Sequence, residues 1–411
     1  MEYGLIGEKL GHSYSKEIHS RLADYVFEKR EIPPSELDSF MNERSFKAVN
    51  VTIPYKEAVI PYLDFIDPMA RSIGAINAIV NKNGKLYGYN TDAYGMTEMI
   101  KKAGISLDGK KVAILGTGGT SKTARTVAES LGASEIFRVS RSEGKGDITY
   151  EELYRDYNDC EIIINTTPVG MYPNIEERPV DIEKFPRLSG VIDVLYNPIR
   201  TTLVLDAIDR GIPHTVGMYM LVMQAVRAVE IFLDTEIDRN KAEEVYRDIL
   251  KSKENTVLIG MPSSGKTTVG RALSERLMQN FVDTDELIEK ISGRVPAEII
   301  ENDGEAAFRH IESEAVKEAS RLQGTVIATG GGAILRNENL LHLRRTGKLY
   351  FLDRPIELLI PTPDRPLSND IPSLSEKFKE RYPKYLQACD VRIDAGGTVE
   401  DACDLIMESK K

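Results

Sequence analysis

The sequence predicts an α/β protein with mostly parallel sheets in both halves, and three observations carry that expectation. Short apolar runs rich in branched residues alternate with stretches of helical apolar spacing. Two glycine-rich loops, Gly116–Gly119 and Gly260–Thr267, each follow such a run and open such a stretch. The chain has 411 residues, room for two to three domains at about 150 residues each.

The elements follow in order. Val112-Ala113-Ile114-Leu115 reads as a strand, turns at Gly116-Thr117-Gly118-Gly119, and enters a helix with apolar Ala124, Val127, Ala128 and Leu131. Further strands are expected at Glu135 to Val139 and Glu161 to Ile164. The second half repeats the unit, with a strand Thr256 to Ile259, the loop Gly260 to Thr267, and a helix from Thr268 to about Met278. Between the halves, Arg239 to Leu250 reads as a charged helix and Lys251-Ser252-Lys253-Glu254-Asn255 as a polar connector. Such a connector spans at most about 18 Å.

Composition excludes several classes. Hydrophobic residues make up 41% and charged residues 28%, enough apolar material for a sizeable core. Lys plus Arg is 53 and Asp plus Glu 64, a net charge of −11. That balance argues against wholesale binding of nucleic acid. Three cysteines, none in a C-x-x-C pair, form no disulfide framework. Met1-Glu2-Tyr3-Gly4 starts no basic-then-apolar leader, and Met218 to Val226 is too short to span a bilayer. A cytoplasmic protein with no membrane partner is expected.

Gly260-Met261-Pro262-Ser263-Ser264-Gly265-Lys266-Thr267 fits G-x-x-x-x-G-K-[ST] in full, between a strand and a helix. Backbone N–H groups of such a loop converge on a β-phosphate, Lys266 bridges β- and γ-phosphates, and the Thr267 hydroxyl ligates Mg²⁺. The loop identifies a nucleotide but not the acceptor. Downstream lie Asp283-Thr284-Asp285 after a short strand, Phe308-Arg309-His310-Ile311-Glu312 on a helix, Gly330-Gly331-Gly332 after Val326-Ile327-Ala328, Arg365-Pro366-Leu367, and Arg381-Tyr382-Pro383-Lys384-Tyr385. In this order the segment from 255 to 411 resembles shikimate kinase.

The resemblance implies roles for particular residues. ATP would lie on Ser263, Ser264, Gly265, Lys266, Thr267 and Thr268, with Arg365 closing from a mobile lid. Thr267 and Asp283, the latter through water, would hold the magnesium ion. Asp285 would position the acceptor hydroxyl, Arg309 and Arg381 would clamp the acceptor carboxylate, and the Gly331 backbone would approach the ring. Lys266, Asp285 and Arg365 would be the catalytic groups. Two departures stand out. Only eleven residues, three of them prolines, separate Asp353 from Arg365, a short lid lacking a second Arg on its leading helix. Ala395-Gly396-Gly397 replaces the adenine-side Arg.

In the first half, the second strand of the nucleotide unit ends Val139-Ser140-Arg141-Ser142. An NAD-binding fold places a carboxylate there for the ribose diol. A hydroxyl and a guanidinium suit a 2′-phosphate instead, so NADP is read over NAD; an Arg at a strand end is also compatible with a plain surface position. Other segments are Gly11-His12-Ser13-Tyr14-Ser15, Asn50-Val51-Thr52-Ile53-Pro54-Tyr55-Lys56, Gly74-Ala75-Ile76-Asn77, Asn90-Thr91-Asp92, Asn165-Thr166-Thr167-Pro168 and Met220 to Ala225. Singly, each has a bland reading, Lys56 as a surface lysine and Asp92 as a helix N-cap. Together they make about residues 1–250 resemble shikimate dehydrogenase.

That resemblance implies Lys56 as the acid–base group poised by Asp92. Ser13, Ser15 and Tyr196 would bind the substrate carboxylate, and Thr52, Asn77, Asp92 and Gln224 would read ring hydroxyls. NADP would lie on Gly116, Thr117, Gly118, Gly119, Thr120, Ser140, Arg141, Ser142, Thr166, Val194 and Gly217. Lys16 stands where the family often has Pro, and Tyr219 where a second Gly would follow Gly217.

The two resemblances imply an α/β substrate domain over 1–95, completed by helices within 217–250, and a Rossmann NADP-binding domain over 96–216. A linker at 251–255 would lead to a P-loop, nucleoside-monophosphate-kinase-like α/β domain over 256–411, its lid at about 354–370. A bifunctional enzyme using NADP(H), ATP and Mg²⁺ on 3-dehydroshikimate and shikimate is expected. The rival is a quinate/shikimate dehydrogenase fused to a P-loop domain of other specificity, or to a non-catalytic ligand sensor.

Overall fold

The structure is a computed structural model, and it describes residues 1–11, 13–360 and 371–410. Two compact units divide the chain at Ile249/Leu250. Arg365 and most of the expected lid lie outside the described residues, as does His12. No helix among the described residues is long and apolar enough to cross a membrane.

The first unit holds two sheets. β1 (Tyr3–Gly7), β2 (Phe27–Glu31), β3 (Ala48–Val51), β4 (Phe65–Ile66), β5 (Ala78–Lys82) and β6 (Lys85–Tyr89) form the first, ordered β2-β1-β3-β5-β6-β4. β5 runs antiparallel to both neighbours, β3 and β6. β7 (Lys111–Leu115), β8 (Glu135–Ser140), β9 (Ile148–Thr149), β10 (Ile162–Asn165), β11 (Gly190–Asp193) and β12 (His214–Val216) form the second, ordered β12-β11-β10-β7-β8-β9. It is wholly parallel, and β7, β10 and β11 are buried on both faces, as their apolar runs require, while β8 is only part-buried.

The strand order reverses between β7 and β10, which opens a crevice at their carboxyl ends, the usual ligand position in such sheets. Gly116 sits there at φ 104°, and a Cβ on it would lie 3.0 Å from the Thr166 hydroxyl. Only glycine lets the two loops approach this closely.

Two helices join the sheets. Asp92–Lys102 buries Met96, Met99 and Ile100 in one cluster with Met218, Val222, Met223 and Val226 of Gly217–Leu233. A Cβ at Gly95 would lie 2.5 Å from the Met220 carbonyl, so the helices touch backbone to backbone. The boundary expected at residue 95 falls inside the first of these helices, because the residues that pair the helices continue to Ile100. Farther along the second helix, Ala228 and Phe232 cover the first sheet with Leu5, Ala48 and Ala78.

The second unit has one parallel sheet. β13 (Asn255–Ile259), β14 (Asn280–Asp283), β15 (Thr325–Ala328), β16 (Gly347–Asp353) and β17 (Val391–Asp394) are ordered β14-β15-β13-β16-β17. The helix after β13 begins at Lys266, two residues before the expected start, because Gly265 caps it at φ 90°. Met278, expected near the helix end, is its left-handed C-cap.

The polar connector at 251–255 is corrected. The helix Arg239–Lys253 runs through it and Asn255 already belongs to β13. Its last-turn carbonyls find partners at long range, Lys251 O from Gln279 Nε2 (3.2 Å) and Lys253 O from Gly324 N (3.2 Å). Lys251 and Lys253 also complement the helix C-terminus.

Candidate active sites

In the first unit, hydrogen bonds tie three loops around one ion pair. The turn after β3 carries Lys56 on the short helix Tyr55–Ala58, and the Lys56 carbonyl accepts from Ile76 N at 2.7 Å. The Asn77 side chain accepts from Thr91 N at 2.7 Å and faces the Thr91 hydroxyl at 3.0 Å. Asp92 is thereby placed so that its Oδ2 accepts from Lys56 Nζ at 2.6 Å. The pair is part-buried, with 23% and 14% of the side chains exposed. Asp92 is the first residue of its helix rather than the N-cap, which is Thr91, and its carboxylate serves Lys56.

The pair opens on a cavity of about 530 Å³. Ser13, Ser15, Thr52, Asn77, Tyr196 and Gln224 line it, all expected there. Ser13 Oγ donates to Ser15 Oγ at 3.0 Å, so two hydroxyls face one region. Tyr196 packs against Tyr14 with ring centroids 5.5 Å apart, and burial pushes its phenol upward from the usual range. The side-chain oxygen of Gln224 lies 3.4 Å from the Thr91 hydroxyl.

Across the cavity, Thr120, Val194 and Gly217 come from the second sheet's loops. A Cβ at Gly217 would sit 1.9 Å from the Val194 carbonyl, which explains a glycine at that helix start. Tyr219 does not reach the cavity. Its ring meets Tyr246 edge-on at 4.9 Å and Lys102 Nζ at 4.7 Å, so this residue anchors the helix Arg239–Lys253.

The remaining expected dinucleotide residues gather at strand ends. Gly118 and Gly119 open the helix Gly119–Ser130, where a Cβ on either would meet nothing within 4 Å. That open space before the N–H groups of a helix suits a pyrophosphate. Thr117 lies beside them, and the Thr166 hydroxyl donates to the Leu115 carbonyl at 2.6 Å. Ser140 Oγ accepts from Ser142 N at 3.1 Å, and Arg141 between them is exposed. Arg125 and Arg138 are both held by Asp147, at 3.0 and 3.4 Å.

Behind this crevice lies Asp193, fully buried. It accepts from Thr201 Oγ1 (2.6 Å), Leu195 N (3.1 Å) and Asn165 Nδ2 (3.1 Å). Burial outweighs these bonds and pushes its carboxyl up to about 6.

In the second unit, the P-loop, the Gly330–Gly332 turn and the helix Ile371–Ala388 border a cavity of about 620 Å³. Ser263, Gly265, Lys266, Thr267 and Thr268 line one end, and Asp285, Arg309, Gly331 and Arg381 the other. Ser264 is buried behind the loop. The buried Lys266 donates to the carbonyls of Gly260 (2.9 Å) and Met261 (2.8 Å). Thr267 Oγ1 donates to Asp283 Oδ2 at 2.7 Å, and Asp283 Oδ1 accepts from Asp285 N at 2.9 Å. A hydroxyl and a carboxylate side by side at a phosphate loop are hard oxygen donors of the kind Mg²⁺ takes.

At the acceptor end, Arg309 is gripped from both sides, by Glu305 Oε1 (2.8 Å) and Glu312 Oε2 (2.8 Å). Arg381 Nη1 donates to the Gly331 carbonyl at 3.2 Å. Glu312 is 1% exposed, and burial raises its pKa against the pull of Arg309. Gly331 lines this end of the cavity and also meets the P-loop. A Cβ there would lie 2.7 Å from Pro262 of the P-loop, so the missing side chain makes room for the loop. At Gly332 a Cβ would lie 2.2 Å from Arg309 Nη1, which lets that guanidinium cross the backbone.

Thr91, Glu312 and Lys377 belong to these sites and were not singled out from the sequence. Thr91 and Glu312 stand inside quoted motifs, and Lys377 lies one helical turn before Arg381.

Two glycine-rich crevices, one beside a lysine–carboxylate pair and one beside paired arginines, define a dinucleotide oxidoreductase joined to a P-loop kinase. Comparison with known proteins agrees. Residues 5–79 match the model described as shikimate dehydrogenase substrate binding domain, and residues 262–410 the model described as shikimate kinase. Shikimate dehydrogenase (NADP(+)) of Clostridium perfringens is 36% identical over 265 residues, 60% of this chain and 97% of that protein. The crystal structure of shikimate dehydrogenase 1 from Peptoclostridium difficile is 38% identical, with a TM-score of 0.56, covering 61% of this chain and 98% of that one. That of Thermus thermophilus shikimate 5-dehydrogenase in complex with NADP(H) and shikimate is 27% identical, with a TM-score of 0.55, covering 60% and 99%. The chain belongs to the shikimate dehydrogenase family and carries a shikimate kinase domain behind it.

Proposed function

We propose that the chain performs two consecutive steps on one ring. It reduces 3-dehydroshikimate to shikimate with NADPH and then phosphorylates shikimate to shikimate 3-phosphate with MgATP, toward chorismate and the aromatic amino acids. The observation that carries the reading is the 2.6 Å Lys56–Asp92 pair in a cavity whose far wall is formed by residues that follow the second sheet's strands, Thr120, Val194 and Gly217. The carbonyl reduced and the hydroxyl phosphorylated occupy the same ring position, so the second step consumes the group made in the first.

NADPH would be held by the Gly116–Thr120 loop, Thr166, Val194 and Gly217, with Ser140, Arg141 and Ser142 at its 2′-phosphate. It supplies a hydride to the carbonyl carbon. Lys56 gives the proton to the carbonyl oxygen, and Asp92 holds the ammonium in place and accepts from a neighbouring ring hydroxyl. Ser13, Ser15 and Tyr196 orient the carboxylate. Thr52, Asn77 and Gln224 line the ring's hydroxyl side; Asn77 acts largely by fixing Thr91, because its side chain is spent there.

In the kinase domain, Lys266 and the loop N–H groups carry the phosphate charge, and Thr267 with Asp283 would hold Mg²⁺, which shields the transferring phosphoryl. Asp285 orients the acceptor hydroxyl, and Arg309 and Arg381 fix its carboxylate. Arg365 would close over the phosphates. Cys160, Cys389 and Cys403 are free thiols, suited to a reducing cytoplasm.

The test is ADP release by the intact chain with MgATP, with shikimate or quinate as acceptor. Release with shikimate alone supports the reading. Release with quinate, or none beside normal shikimate-dependent NADP reduction, would replace it with a differently specific or ligand-sensing domain.

A further inference from the structure

We infer that Lys377 supplies a further arm of the acceptor-carboxylate clamp, beside Arg309 and Arg381, and sets the kinase site's affinity for a carboxylate-bearing acceptor. The inference rests on the kinase reading above and deepens it by naming a specificity-determining residue.

Lys377 and Arg381 lie four residues apart on the helix Ile371–Ala388, and so on one face. Both line the 620 Å³ cavity with Arg309 and Glu312. The two arginines are not equally available. Three nitrogens of Arg309 are engaged: Nε and Nη2 donate to Glu305 at 3.2 and 2.8 Å, and Nη1 to Glu312 at 2.8 Å. Arg381 donates to the Gly331 carbonyl, a neutral partner, and among the described residues forms no carboxylate hydrogen bond of the kind that holds Arg309.

The charge balance follows from these contacts. Glu305 and Glu312 are spent on Arg309, and Lys377 adds to Arg381 a second positive charge at the end of the cavity where a carboxylate would lie. Burial, and then the nearby Arg381, lower the Lys377 amine below the ordinary lysine value, with Glu305 pulling the other way. A part-buried ammonium beside an arginine is stabilised when a carboxylate arrives. Lysine suits a further arm because its ammonium moves on a flexible stem, whereas Arg309 is held in one position by two glutamates.

The experiment compares K377L and K377R with the unaltered full-length chain in steady-state kinase assays, with dehydrogenase activity measured as an internal reference. K377L is expected to raise the shikimate KM about tenfold to a hundredfold, the worth of a hydrogen bond to a charged group. Its kcat and ATP KM should stay within about twofold, and K377R should recover most of the loss. The uncharged methyl ester of shikimate gives an independent readout, since preference for acid over ester should narrow in K377L. An unchanged shikimate KM overturns the inference, as does a joint rise in shikimate and ATP KM, which marks general loosening. Failure of the unaltered chain to release ADP with shikimate overturns the acceptor reading itself and the inference with it.

Discussion

The two cavities are of similar size, about 530 and 620 Å³, yet they handle charge in opposite ways. The dehydrogenase cavity has one central ion pair, Lys56–Asp92, among serine, threonine, asparagine, tyrosine and glutamine side chains. The kinase cavity concentrates Lys266, Arg309, Arg381 and Lys377 with Asp285 and Glu312. Hydride transfer to a carbonyl leaves one proton to deliver, so one titratable pair suffices. Phosphoryl transfer gathers several negative charges, so cations must be in position beforehand. Those cations are then balanced by the protein itself: Lys266 by loop carbonyls, Arg309 by two glutamates.

The sharpest break between the sites comes from removing one charge on each side. K266M should lower kinase turnover by about 10³- to 10⁵-fold, the range for a cation acting on the transferring phosphoryl. Dehydrogenase turnover should not change. The converse, K56M, should cost the dehydrogenase about 10²- to 10⁴-fold in kcat and leave ADP release intact. Assaying both reactions on each variant checks the separation. A K56M chain that keeps its reductase rate would remove Lys56 from proton delivery and leave the ion pair a structural role.

Cofactor choice is a smaller effect on the same axis. Arg141 is exposed at the end of β8, while Arg125 and Arg138 are occupied by Asp147. R141A should raise the NADPH KM about tenfold, the worth of one charge-assisted contact to phosphate. The KM for NADH, which lacks that phosphate, should not move. Equal losses with both cofactors would assign Arg141 to the loop's structure instead of the 2′-phosphate.

Local sequence revealed strands of the second and third sheets and the glycine loops, because their signals are local: branched apolar runs, then glycines, then helical spacing. The first sheet, with β2 largely polar and β4 only two residues long, is not legible that way. The Lys56–Asp92 pair came from the family pattern, since no local rule joins residues 36 apart. What local signals missed was set by partners far along the chain. The last turn of Arg239–Lys253 reads as a polar connector until Gln279 and Gly324 are seen to satisfy its carbonyls. Gly330, Gly331 and Gly332 are indistinguishable as letters, yet Pro262 requires the second and Arg309 the third. Tyr219 looks like a lost glycine near the cofactor, but its helical position turns it toward Tyr246. Lys377 is one lysine among several on a polar helix until Arg381 fixes the register.

The gentlest test of the contrast concerns buried carboxyl groups. Glu312 is buried against a guanidinium, whereas Asp193 is buried among a threonine, an asparagine and a backbone N–H, with no cation beside it among the described residues. Its carboxyl is pushed up to about 6, against about 3.9 in an unfolded chain. Between those values the folded protein holds a proton that the unfolded chain has released. Stability is therefore lost as pH rises from about 4 to 6, and this contribution is flat above. D193N removes the titration; its carbonyl accepts from Leu195 N, and its amide donates to the Thr201 hydroxyl, which in the unaltered chain donates to the carboxylate. At pH 7 the variant should melt a few degrees higher than the unaltered chain, followed by residual dehydrogenase activity after heating. At pH 5 the gap should shrink by roughly half, because the wild-type carboxyl is then largely protonated. A gap independent of pH would mean that Asp193 carries no proton at either value and that its three donors fully offset its burial.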